Sequence, residues 1–415
     1  MSRRALASWT ALLVAIVLIT TGCADAPDSD QKAELVWAAV NPRPALAIAE
    51  RWNELHPMGP KVRVETLPEI ADDQRQLMAL ELNAGLEEFD ILEVSAIWTV
   101  EFAQNGWLVE LAELRADIER LSLPVAVQTA IWDGQLWAAP YNTSAGLLYY
   151  RSDLVEKPPT TWEDLIAVGR RVGEERGIAP FVADGAQYEG VVVQYLEYFW
   201  GAGGEMLESD GQSVLFQPGP ALRAANFMND AYRTGLYAPG FNTMTLEDAR
   251  SVFQSGQAVF MRSWPYVYRR MNSEDPDSQV LGKVGIAPLP TFEGSEPVTA
   301  LGGHNLVVSR FSDDVPAATE FVRFASTSWE AQRKLADLSV APTLEAVYDD
   351  LADDRLMALL DIVLPTARPR PAVPEWSTIS EEMQQQIFAA YTGDPDPKPE
   401  IDALSRFLDA TIKER

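Results

Sequence analysis

The sequence has one cysteine and two histidines in 415 residues. A single cysteine excludes an internal disulfide and every multi-thiolate metal site. His56 and His304 stand far apart and match no spaced metal motif. Basic residues are also scarce: 33 Lys and Arg against 61 Asp and Glu leave a net charge of -28. That balance removes the basic surface that nucleic acid or anionic lipid requires, so no nucleic-acid partner is expected. There is no phosphate-binding glycine loop between a strand and a helix, no HExxH or CxxC pair and no GxSxG elbow. The Gly-rich stretch Gly201-Ala202-Gly203-Gly204 follows a helical pattern rather than a strand, which makes it a poor dinucleotide loop. No cofactor and no metal are therefore expected. His304, within Gly-Gly-His-Asn, has no nameable catalytic partner and suits a structural or cleft-lining place. Paired carboxylates for glycoside hydrolysis stay open as an alternative, because 61 acids make some pair inevitable and their separation is a three-dimensional quantity.

Long apolar runs are missing except for residues 11–19, which are too few for a comfortable membrane span. Arg3 and Arg4 precede that run and Thr20-Thr21-Gly22-Cys23 follows it, the order of a secretory signal over residues 1–22. The only cysteine, Cys23, directly follows Gly22. This placement resembles a bacterial lipobox, in which the cysteine is lipidated and begins the mature chain. Thr20 stands where Leu or Val is usual, and an ordinary signal cut leaving Cys23 as a free thiol is the alternative. Residues 23–33 are small, acidic and Pro-containing, as in a flexible tether. The mature protein is expected outside the cytoplasm, held to the cell membrane by a lipid on Cys23.

What remains has an ordinary globular composition, 47% apolar and 23% charged, with length for two to three domains at about 150 residues each. Strand and helix patterns alternate from Glu34: strands near 35–40, 61–67 and 89–94, helices near 44–55 and 72–84. This βαβα order predicts a parallel sheet covered by helices. Asp133-Gly134 predicts a tight hairpin turn. A second set follows, with strands near 147–150, 179–183, 259–261, 284–287 and 306–308. Helices are expected near 190–200, 220–233 and 315–325, and from Thr161, with Asp164 completing a capping box. Helices dominate the tail, and Pro365, Pro369, Pro371 and Pro374 interrupt regular structure before it. Of twelve Trp, seven (Trp98, Trp107, Trp132, Trp137, Trp200, Trp264 and Trp376) lie beside loop-like or Gly-rich positions. A flat ring suits the C–H face of a sugar, but packing is the commoner use of any one of them.

Several segments together carry a resemblance. They are Trp98-Thr99-Val100-Glu101-Phe102-Ala103 with Asn105-Gly106-Trp107-Leu108, and Ala139-Pro140-Tyr141-Asn142 leading to Leu148-Tyr149-Tyr150-Arg151. Tyr188-Glu189-Gly190, Ala202-Gly203-Gly204, Phe253-Gln254-Ser255-Gly256, Trp264-Pro265-Tyr266 and Leu301-Gly302-Gly303 follow in order. With the lipobox, the set resembles the solute-binding lipoproteins of bacterial carbohydrate ABC importers (extracellular solute-binding protein family 1), closest to the trehalose/maltose-binding branch. The resemblance spans nearly all of the mature chain.

It implies an α/β, two-lobe periplasmic-binding-protein-like fold with the ligand cleft between lobes joined by hinge crossings. Lobe one would comprise 34–142 and 299–345, lobe two 143–298 and 346–415, with crossings near Asn142, near Val298 and within 340–350. It further implies a monomer that captures a small oligosaccharide, such as trehalose or maltose, and delivers it by hinge closure to ABC permease subunits, performing no chemistry. Matched to the family's motifs, the ligand contacts would be Asn41, Asp73, Gln74, Ser95, Asn142, Glu189, Trp264, Gly302, Gly303 and Arg370, with Arg368 a rival for Arg370. Cleft residues of this kind are expected to support the fold less than core residues do. Ser95 stands where trehalose-type members carry an acid, so either the ligand differs from trehalose or Glu93 or Asn41 compensates. A polyol or a glycerol phosphodiester is a further alternative ligand.

Overall fold

The computed structural model describes residues 34–207, 214–274 and 277–413. The signal, Cys23 and the whole of the tether lie outside them. Thirteen strands follow along the chain: β1 (Glu34–Ala39), β2 (Lys61–Thr66), β3 (Ile91–Ser95), β4 (Ile131–Trp132), β5 (Gln135–Leu136), β6 (Ala139–Ala145), β7 (Leu147–Arg151), β8 (Ala179–Val182), β9 (Ala258–Ser263), β10 (Val284–Pro288), β11 (Thr299–Val308), β12 (Ala341–Pro342) and β13 (Ala367–Arg368). The first sheet runs β12-β6-β11-β3-β1-β2, with β13 alongside β11; the second runs β10-β7-β9-β8.

β1 pairs in parallel with β2 and β3, as the βαβα pattern predicts. The helix Pro42–Leu55 between β1 and β2 buries Ala45, Ile48, Ala49 and Trp52 at helical spacing. Trp37, Tyr141 and Phe321 meet edge-on in the core beneath the sheet. The Asp133-Gly134 turn has positive φ at both residues (48° and 74°), which matches the right-handed twist of the flanking β4 and β5. Thr161 caps the helix Trp162–Arg176 by accepting from the Asp164 N–H at 3.1 Å.

Three differences from the sequence pattern matter for the site. β11 is longer than its apolar core, beginning at Thr299 and carrying Gly302 and Gly303 within it. The two-residue strands β12 and β13 are too short to leave any alternation. The helix Trp376–Thr392 packs against the helices Glu189–Gly201 and Pro218–Arg233.

The chain leaves the first sheet after Ala145 and enters the second at Leu147, so one residue, Gly146, makes the connection. A Cβ there would lie 2.3 Å from Glu197 Oε1, 2.7 Å from Arg262 Nη2 and 2.8 Å from Thr299 Oγ1. These atoms form one buried knot. Arg262 donates through Nε and Nη2 to Glu197 at 2.9 and 2.6 Å. Glu197 Oε1 also accepts from Thr299 Oγ1 (3.2 Å) and the Ala300 N–H (3.1 Å), and Thr299 Oγ1 donates to Gly146 O at 3.0 Å. The outgoing strand β7 and the returning strand β11 are thus tied at one point.

Candidate ligand cleft

Two groups of polar side chains face each other around the start of β11. The first lies on the first sheet. Glu93 of β3 is 1% exposed and accepts the Val40 N–H at 3.0 Å and Asn142 Nδ2 at 3.2 Å. Burial pushes its carboxyl up to about 7 against the pull of these donors. Asn142 Oδ1 in turn accepts the His304 N–H at 3.2 Å and lies 3.3 Å from His304 Nδ1. Ser95 stands directly opposite His304 in the strand register and is half-buried. Asn41, at the start of Pro42–Leu55, uses its side-chain oxygen to accept the Arg43 N–H at 3.3 Å.

The second group gathers around Arg370 and Glu189. Arg370 is 7% exposed; its Nη1 donates to Glu189 Oε1 at 2.7 Å and its Nη2 to Leu301 O at 3.5 Å. Its Nε is buried and finds no protein acceptor. Ser380 Oγ donates to the other Glu189 oxygen. Asp72, in the first turn of the helix Ala71–Ala84, accepts from Gln384 Nε2 at 3.4 Å and lies against the Glu189 backbone. Burial, with the Glu189 charge adding, pushes the Asp72 carboxyl up to about 6. Nearby, Arg75 grips Glu101 with Nε and Nη2 at 3.0 and 2.5 Å, and Ser377 Oγ donates to Glu101 at 3.1 Å.

Trp264 lies between these groups and the knot at Gly146. The Arg262 guanidinium sits 4.1 Å from its ring centroid, and a Cβ on Gly302 would come within 2.9 Å of the ring. Glycine at 302 therefore lets the indole lie against the strand. Gly303 has φ 116° and its backbone touches Asn142 O, where a Cβ would sit at 2.4 Å. A cavity of about 530 Å³ opens beside Arg370, lined by Ile97, Gln128, Trp200, Glu205 and Arg368 among others. A smaller one of about 290 Å³ lies on the Glu189 side, with Asp72, Arg75 and Trp98 in its wall.

The structure thus brings Asn142, Glu189, Trp264, Gly302, Gly303 and Arg370 to the region where the sheets meet, with Ser95 at its edge. It gives Asp73 and Gln74 other places. Asp73 is exposed, and Gln74 Nε2 donates to Pro68 O and Glu69 O at 2.8 and 3.4 Å. Helix phase turns Asp72, one residue earlier, toward Gln384 and Glu189. Arg368 pairs with Glu205 near the surface, whereas Arg370 is the buried partner of Glu189. Because Glu189 and Arg370 form a buried ion pair, removing either alone would leave a buried charge unpaired, which bears on the expectation that cleft residues support the fold little. Three of the seven Trp named above, Trp98, Trp200 and Trp376, are buried, and of these Trp98 and Trp200 also reach a cavity wall. Among the described residues no cluster of His, Cys, Asp and Glu has the arrangement of a metal site, and no helix is long and apolar enough to cross a membrane.

The family model of the bacterial extracellular solute-binding proteins matches residues 39–329. The chain belongs to that family. A probable ABC transporter-binding protein of Deinococcus radiodurans is 30% identical over 377 residues, covering 86% of this chain and 88% of that one. The galactooligosaccharide-binding protein of Bacillus subtilis is 21% identical over 317 residues, 74% of this chain and 73% of its own. Among solved structures, maltose-bound T. maritima MalE3 superposes with a TM-score of 0.85 at 32% identity, covering 91% of this chain and 99% of that one. The fold is accordingly the two-lobe α/β fold of these binding proteins, and the solute-binding family and its neighbours are binding proteins rather than enzymes.

Within this solute-binding protein, sequence reasoning missed Asp72, Ser380 and Gln384, and weighed Glu93 and His304 without placing them in the site. Asp72 and Asp73 differ only in helix phase. Ser380 and Gln384 stand one helical turn apart on Trp376–Thr392, a face that becomes visible only once that helix is set against Glu189–Gly201.

Proposed function

We propose that the protein captures a small glucose-containing oligosaccharide, maltose or trehalose in type, between its lobes and presents it to an ABC import permease by hinge closure, leaving the sugar unchanged. The lobes would be 34–142 with 299–345 and 143–298 with 346–415, pivoting where Gly146 and Thr299 meet. The anchor would be a lipid on Cys23.

The observation that carries this reading is Arg370. Its Nε is a buried charged donor without a protein acceptor, on a guanidinium already oriented by Glu189. Such a donor costs free energy unless an oxygen meets it. Arg370 lines the adjoining cavity, and a shift of its side chain on closure would bring Nε to a sugar hydroxyl there, with the indole of Trp264 nearby as an apolar ring. The maltose in the T. maritima relative and the oligosaccharide in the name of the B. subtilis relative support a sugar over a polyol.

Titration calorimetry of the mature protein with maltose, trehalose and galacto-oligosaccharides tests the reading. One-to-one binding of at least one of them is expected, with no product on prolonged incubation. A panel that produces no heat, or sugar hydrolysed in proportion to protein concentration, would sink it.

A further inference from the structure

The contacts of Asn142 have a direction. Its Nδ2 donates to Glu93 Oε1, so its Oδ1 faces His304, where it accepts the backbone N–H. Reversing the amide would set two donors against each other at the His304 N–H, which is always a donor, so that neighbour fixes the orientation. Oδ1 has no hydrogen to give, and it lies 3.3 Å from His304 Nδ1. The other group near that nitrogen, Glu93 Oε1 at 3.5 Å, makes no hydrogen bond to it and already accepts from Asn142 Nδ2. Nδ1 must therefore carry the ring proton.

A neutral imidazole carries one such proton, which leaves Nε2 with a bare lone pair. Burial and the nearby Arg370 charge lower the His304 pKa to about 4, so the ring is neutral at pH 7. The side chain is 25% exposed, and Nε2 has no partner among the described residues. Both Glu189 oxygens are occupied, Glu93 is sealed beneath Asn142, and Arg370 only donates.

We propose that His304 Nε2 is the acceptor for one ligand hydroxyl, and that Glu93 and Asn142 act as positioning residues that fix this role by selecting the tautomer. The inference rests on the sugar-binding reading above and adds a residue that makes the site demand a hydroxyl donor at one place on the ligand.

Nitrogen-15 labelling of histidine tests the tautomer without any sugar. The chain has only two histidines, and His56 is an internal control because its Nδ1 faces the Trp52 carbonyl at 3.0 Å. At pH 7, His304 should show a protonated Nδ1 and a bare Nε2, and Asn142→Leu should let the proton redistribute. A protonated Nε2 in the unaltered protein overturns the proposal. Binding then tests the contact. His304→Phe should weaken the best sugar by about tenfold, the scale of one hydrogen bond, whereas His304→Gln, whose amide reaches the place of Nε2, should stay within a few-fold. The deoxy analogue lacking the paired hydroxyl should lose affinity to the unaltered protein and not to His304→Phe. Equal affinity in all three proteins overturns the contact. A sugar panel that binds nowhere overturns the function above and this contact with it, and the nitrogen shifts still decide the relay.

Discussion

Arg370 has five N–H donors and its protein neighbours leave Nε unused, which makes it the residue through which stability and the proposed binding would be coupled. Removing Glu189 would leave its charge buried and alone. Glu189→Gln is therefore expected to lower unfolding free energy by about 3 kcal/mol, measured by denaturant titration without ligand; a loss under about 0.5 kcal/mol would contradict the buried pair. Asp72 gives a pH test. Its folded pKa, about 6, is above the ordinary 3.8, so the folded protein holds this proton more tightly than the unfolded chain. The stability it lends is present below the unfolded value and lost as pH rises through about 6. Asp72→Asn should flatten the fall in melting temperature between about pH 4 and 6, and an unchanged slope would refute the assignment. The ion pair shows how far the sequence was legible at this scale. Motif matching found Glu189 and Arg370 but had them both free for ligand, since nothing in one dimension shows that they meet across 181 positions. The difference between Asp72 and Asp73 was likewise a matter of helix phase against a wall not yet in place.

At the scale of elements, β1 to β3 and their helices were legible because their apolar residues keep strand or helical period. β11 was legible only at Leu306–Val308, because Gly302 and Gly303 carry no side chain to alternate; they serve the indole of Trp264 and the backbone at Asn142 instead. β12 and β13 owe their pairing to β6 and β11 rather than to their own composition. The knot at Glu197 is the element-level feature most open to test. Glu197→Ala strands the buried Arg262 and should cost about 3–5 kcal/mol. The double variant Glu197→Leu/Arg262→Met should recover only part of that, because the Ala300 N–H still lacks its acceptor. Full recovery in chemical denaturation would show that the ion pair alone matters and that the tie to β11 does not.

Taken whole, the chain has a strong negative charge and a lone cysteine behind a signal-like run, and the membrane attachment proposed for it cannot come from a basic surface. Full-length protein expressed in a bacterial host should sediment with membranes, and Cys23→Ser should shift it to the soluble fraction. Equal partition of the two would remove the anchor. The single residue between β6 and β7 has a consequence at this scale. A link of one residue offers only two soft torsions, and at Gly146 they are boxed in by Glu197, Arg262 and Thr299. If the lobes close as proposed, this crossing would act as an axle rather than a tether. A membrane partner would then tell a loaded molecule from an empty one by the angle between lobes rather than by sampling many poses.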